Sequence, residues 1–124
     1  MRKQIGQLGE GLAANYLTAH NHQIITTNFR CRRGELDIIA VDYSNRRKPQ
    51  LAFIEVKTRR TTTFGQPQDS VTLHKRRKML ITAQHFLQQS TQKLPHIWRF
   101  DIIAIKLTHG HPPNLTHFKH IFDG

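Results

Sequence analysis

Leu51-Ala52-Phe53-Ile54-Glu55-Val56-Lys57, read together with Gly34-Glu35-Leu36-Asp37-Ile38-Ile39 a short way before it, decides how this chain of 124 residues folds. Each stretch is an apolar run of β-forming residues with carboxylates set inside it, where an unpaired charge is costly. A divalent cation shared by Asp37 and Glu55 offsets that cost. Hard cations such as Mg²⁺ take oxygen ligands and favour one or two carboxylates plus substrate phosphate. Strand alternation projects Glu55 and Lys57 to one face, and Glu35 and Asp37 likewise. If strands near 36–42 and 51–58 form an antiparallel hairpin closed by the polar segment 42–50, Asp37 lies opposite position 56 to within one residue.

Both strands carry apolar side chains on both faces, as in strands covered from two sides, so the sheet is expected to be sandwiched. Upstream, Ile5, Leu8, Leu12, Tyr16 and Ala19 recur at spacings of three and four, which predicts an amphipathic helix over 3–19 with Glu10 at the margin of its apolar stripe. Asn21 and His22 end it, a β-branched strand follows over 23–29, and residues 30–34 form a basic turn. Gly34 permits a bulge that re-aims the side chains after it.

Downstream, residues 58–68 read as a loop just past the acids. Asp69 or Ser70 is the expected N-cap of a second helix reaching about residue 89, buried through Met79, Leu80, Ala83, Phe86 and Leu87. Lys75 and Arg76 continue the same arc and overhang the core edge. A fourth strand is expected over 98–105, with Asp101 bonding local backbone or pairing with Arg99. A last, edge strand falls within 115–122.

The length predicts one domain over 1–124. Lys and Arg number 19 against 8 acids, a formal charge of +11 that exceeds what solubility needs and points to a polyanion. The cations cluster as Arg30/Arg32/Arg33, Arg46/Arg47/Lys48, Lys57/Arg59/Arg60 and Lys75/Arg76/Arg77/Lys78, the pattern that phosphate binding by counterion release exploits. A solvated basic surface is the plainer alternative. Glu10, Glu35, Asp37 and Glu55 are half of the 8 acids and stand in or near apolar elements, which suggests a task for them. Cys31 is the only cysteine, so an intrachain disulfide and a thiolate zinc cluster are excluded, and a cytoplasmic setting fits. No membrane partner is expected, because no run approaches the ~20 apolar residues of a span. His109, His111, His117 and His120 lack the register of a zinc site and read as a chance cluster. Gly-rich phosphate loops, nucleophile elbows and repeats are absent from the sequence.

Gly6-x-x-Gly9-Glu10-x-x-Ala13-x-x-Tyr16-Leu17, Asn28-x-Arg30, Gly34-Glu35-x-Asp37-Ile38-Ile39-Ala40, Phe53-x-Glu55-Val56-Lys57-x-Arg59, Phe64-Gly65 and Phe100-Asp101 together resemble the bacterial YraN family, from residue 6 to about 105. That family is similar to the PD-(D/E)XK nucleases, particularly Holliday-junction resolvases. The resemblance implies an α/β, restriction-endonuclease-like fold with a central mixed β-sheet flanked by helices. By motif, it assigns Asp37 and Glu55 to the metal, Lys57 to the active-site lysine and Glu10 to the helical glutamate that joins or supports the metal. Leu36 stands where the usual proline precedes the aspartate, and Glu35 has no fixed place in the motif.

The activity implied is Mg²⁺- or Mn²⁺-dependent endonucleolytic hydrolysis of structured or branched DNA, with Asp37, Glu55, Lys57, Glu10 and Glu35 in the catalytic group. Arg30, Arg32, Arg33, Arg59, Arg60, Lys75, Arg76, Arg77 and Lys78 are the residues expected to track nucleic acid. A homodimer is implied by resemblance alone. Two other classes stay open: a non-catalytic nucleic-acid-binding module that keeps the fold, and a scaffold for protein partners.

Overall fold

A computed structural model describes residues 2–60 and 71–122, with the side chains of residues 2 and 3 left aside. The elements run α1 (Arg2–Ala19), β1 (His22–Cys31), β2 (Gly34–Asp42), β3 (Gln50–Arg59), α2 (Leu73–Gln89), β4 (Trp98–Lys106) and β5 (Asn114–Phe118). The five strands form one sheet in the order β1-β2-β3-β4-β5. Pairing is antiparallel except between β3 and β4, whose parallel register needs the crossover that α2 supplies. The sheet is therefore mixed and the fold α/β, as the sequence led us to expect.

Two apolar cores occupy the two faces. Ile38, Ala40, Ala52, Ile54, Ile103 and Ile105 pack with Ala13 and Leu17 of α1. Ile39, Val41, Leu51, Phe53, Phe100 and Ile102 pack with Met79, Ala83 and Phe86 of α2. Alternation along β3, β4 and the part of β2 from Ile38 onward produces this division, and it is why both faces of the central strands read as apolar.

Three elements depart from expectation. In α1, Leu8 is 53% exposed and Ala19 is exposed, while the buried line is Gly9, Ala13 and Leu17. Small residues at the contact let the helix axis approach the sheet. A Cβ added to Gly9 would overlap Thr58 Oγ1. In α2, Asp69 and Ser70 lie outside the described residues, as does Phe64-Gly65. The cap is Thr72, whose hydroxyl accepts from the Lys75 backbone N–H at 3.2 Å. The buried face of α2 also includes Thr82, against which Gly34 packs: a Cβ on Gly34 would stand 2.8 Å from Thr82 Oγ1. The last strand is shorter than expected and ends at Phe118.

The alternation of β2 resets at one place. Leu36 belongs to the α2-side core and Ile38, two residues on, to the α1-side core. Pairing of β2 with β3 reaches only Ile38↔Ile54. On the other side, Thr27↔Ile38 and Phe29↔Leu36 bracket Asn28 and Asp37, and Asn28 has a φ of 52°. The strand thus rolls between the two faces at Asp37, beyond the last rung that ties β2 to β3.

Candidate functional site

That roll sets Asp37 between two hollows. One, of 310 Å³, is lined by Glu35, Asp37, Glu55, Lys75, Lys78 and Met79 among others on the α2 side. The second, of 600 Å³, is lined by Gly6, Glu10, Asp37, Lys57, Arg59 and Arg60 among others on the α1 side. Carried one step past its last rung, the β2–β3 register sets Asp37 opposite position 55, within the one-residue margin expected from the sequence. Asp37 Oδ2 accepts from the Val56 N–H at 2.7 Å, so the acid is held by the backbone of the neighbouring strand.

Burial, then the negative charges of Glu10, Glu55 and Glu35, push the Asp37 carboxyl up to about 6, against the pull of the Val56 hydrogen bond. Four acids therefore converge electrostatically on one short segment. Among the described residues, however, no three His, Cys, Asp or Glu side chains come together as a set able to hold a metal ion. Glu10 meets Asp37 in the α1-side hollow, while Glu55 meets it in the α2-side one.

Glu55 and Lys57 project together, as alternation requires, with Lys57 Nζ 3.9 Å from Glu55 Oε1. The same oxygen pairs with Lys75 Nζ from the first turns of α2, a contact that the sequence did not single out. Glu55 Oε2 is buried and has no hydrogen-bond partner among the described residues. Burial and the adjacent Lys75 ammonium lower the pKa of Lys57. Burial also works against the charged form of Lys75, but the hydrogen bond and charge of Glu55 outweigh it and raise its pKa. Glu35, expected in the catalytic group, borders the hollow but pairs with its cross-strand neighbour Arg30 at 3.0 Å, with both side chains well exposed.

The expected nucleic-acid-tracking residues divide by setting. Arg32, Arg33, Arg59, Arg60, Arg77 and Lys78 are exposed, Arg30 is engaged by Glu35, and the Arg76 guanidinium lies 5.3 Å over the Phe122 ring. The overhang expected of Lys75 and Arg76 is therefore present.

At the other end of the sheet stands a buried polar network that only part of the sequence signalled. Arg99 Nε donates to Asp101 Oδ1 at 2.9 Å, the pairing foreseen, and Arg99 Nη2 donates to Asp42 Oδ2 at 2.9 Å. His117 Nε2 lies 2.8 Å from Asp101 Oδ2, and Tyr16 Oη is 3.1 Å from His117 Nδ1. His117 thus belongs to this network, which His120 joins through its backbone N–H, donated to Asp101 Oδ1 at 3.0 Å. His22 is buried beside it, and burial lowers its pKa.

Fold and site together define an α/β protein with carboxylates and lysines gathered where β2 parts from β3, beside basic turns. The chain belongs to the family described as "Uncharacterised protein family UPF0102", whose model matches residues 9–105. The resemblance to the YraN family carried by the motifs is thereby upheld. Similar relatives include the UPF0102 protein of Caldicellulosiruptor bescii, 39% identical over 83% of this chain and 82% of its own length. The UPF0102 protein of Rhodococcus opacus is 39% identical over 95% of each chain. That of Geobacter metallireducens is 39% identical over 98% of this chain and 93% of its own.

Proposed function

We propose that the protein is a divalent-metal-dependent endonuclease that hydrolyses phosphodiester bonds in structured or branched DNA. The observation that carries the reading is the buried Glu55 Oε2, without a hydrogen-bond partner among the described residues, in the hollow it shares with Asp37, with the Lys57 ammonium alongside. The donor set fits Mg²⁺ or Mn²⁺: two carboxylates offer hard oxygen ligands, and the burial and repulsion that raise Asp37 are both offset by a cation. Asp37 and Glu55 would hold the ion, with Glu10 supporting from α1.

A bound divalent cation supplies Lewis-acid polarisation of the phosphate and a more acidic water. Lys57 places its ammonium on the scissile phosphate and offsets charge as water adds to phosphorus and the bond to the leaving oxygen breaks. The Val56 N–H fixes Asp37. The exposed arginines and Lys78 follow the backbone, which favours recognition of shape over sequence. A symmetric homodimer in a reducing cytoplasm suits this reading, since a branched junction presents two related strands.

Branched, flapped and linear DNA incubated with Mg²⁺ or Mn²⁺ provides the test. Cleavage is expected to fall by about 100-fold or more in Asp37→Ala and in Glu55→Ala, and cleavage that survives both overturns the assignment.

A second reading, a non-catalytic nucleic-acid-binding module, is favoured by one observation: Glu55 is already neutralised by Lys75 and Lys57 without any ion. Tight DNA binding with no metal-induced rise in Tm would select it.

A further inference from the structure

Three ammonium-bearing side chains stand near the two acids, and only Lys57 is fixed there by strand geometry. Lys75 comes from a different element. Its backbone is set by the Thr72 cap at the start of α2, and its flexible four-carbon stem reaches across the hollow to Glu55 Oε1. The other members of its basic run do not do this. Arg76 leans over Phe122, Arg77 is exposed, and Lys78 lines the hollow without an ion pair to Glu55.

Among the described residues, Glu55 therefore carries two cationic partners on one oxygen while its second oxygen, buried, has none. One carboxylate cannot balance two ammonium groups and a dication as well. Lys57, two residues along the same strand, is 20% exposed, whereas Lys75 is about one-third exposed at the mouth of the hollow and is the freer of the two to leave.

We propose that Lys75 is a built-in counter-ion that competes with the divalent cation for Glu55 and, once displaced, turns to the phosphate backbone of the bound nucleic acid. This rests on the metal-dependent reading above and deepens it: the ion enters by exchanging with an ammonium group. The charge that leaves the carboxylate stays at the site, where the incoming polyanion uses it. Metal and nucleic acid then favour each other's binding.

The test is calorimetric titration of Mn²⁺ into the full chain, as wild type, Lys75→Met and Lys75→Arg. Lys75→Met is expected to bind Mn²⁺ about tenfold more tightly than wild type, with Lys75→Arg close to wild type. Metal-free Lys75→Met is expected to melt a few degrees lower and to recover on adding Mn²⁺. With Ca²⁺ in place of a metal that supports cleavage, its DNA affinity is expected to drop severalfold. Unchanged or weaker Mn²⁺ binding in Lys75→Met, with wild type binding normally, overturns the counter-ion role and leaves the nuclease reading intact. Absence of Mn²⁺ binding by every form at millimolar concentration overturns both. Should Lys75→Met not fold, the wild type carries the test through the Lys75 ammonium resonance: it must shift on adding Mg²⁺, and a resonance that stays put overturns the exchange.

Discussion

Asp37 is more comfortable protonated than a free aspartate is, and that has a measurable cost near neutral pH. Its folded pKa, about 6, stands above the unfolded 3.8. Its contribution to stability is therefore full below 3.8 and lost as pH rises through about 6. Asp37→Asn is accordingly expected to stabilise the protein by about 1–2 kcal/mol at pH 8, with the gain shrinking toward pH 4, while activity is lost. Urea midpoints at the two pH values check this, and a destabilised Asn variant at pH 8 contradicts it.

The network at the far end titrates with the opposite sign. Asp42 and Asp101 are buried, yet hydrogen bonds outweigh that burial and depress their pKa values: chiefly from Ser44 for Asp42, and from His117 and Arg99 for Asp101. They contribute stability above 3.8 that is lost as pH falls through their depressed values. His22 adds to the acid sensitivity, because the unfolded chain takes up a proton near 6.5 before the fold does. Arg99 holds the network, bonding Asp42, Asp101 and Gln50. Arg99→Met leaves two buried carboxylates short of their cation and is expected to cost about 3–5 kcal/mol. Denaturant unfolding at pH 7 measures it, with Arg99→Lys recovering only part.

At the scale of elements, the placing of Glu10 depends on how closely α1 lies on β3. Gly9 sets that distance at Thr58. Gly9→Ala improves helix propensity, yet it is expected to destabilise by about 1–3 kcal/mol through overpacking, and Thr58→Ala in the same chain is expected to restore part of the loss. A double-mutant cycle by thermal unfolding reads the coupling. Additive effects mean that the two residues do not press on each other.

The same contact explains what the sequence conveyed of α1. Periodicity located the helix and placed Glu10 at its margin, but weighting by size picked Leu8, which is 53% exposed, over Gly9. β2 and β3 were legible because apolar runs punctuated by acids have few other interpretations. The reset at Asp37 was not, since it arises where β2 passes its last rung with β3 and faces the positive-φ Asn28 of β1. Nor was the Arg99–Asp42 pair, whose members stand 57 residues apart. Lys75 was legible as a cation near the core edge, but not as the partner of Glu55, because local pattern says nothing about the reach of one side chain across a crossover.

For the molecule as a whole, a charge of +11, with Arg30 paired to Glu35 and most other acids tied into the site or the far network, leaves the exposed arginines in excess. DNA affinity is expected to fall by about 10³-fold or more between 50 and 200 mM salt if about six phosphates are neutralised. Fluorescence anisotropy across that range measures the slope, and a flat response removes the case for a backbone-tracking surface. No helix among the described residues is long and apolar enough to cross a membrane.

The sheet's one parallel pair has a kinetic corollary. β1, β2 and β3 are neighbours joined by short reversals, whereas β4 reaches β3 only after α2 has crossed the sheet. Loop-closure entropy favours the meander as the earlier-forming unit during refolding. Pulse-labelled amides should gain protection in β2 and β3 before β4. For that interval Glu55 would stand beside Asp37 with Lys75 still absent, so the nascent hairpin would carry its greatest internal repulsion at the moment it first forms.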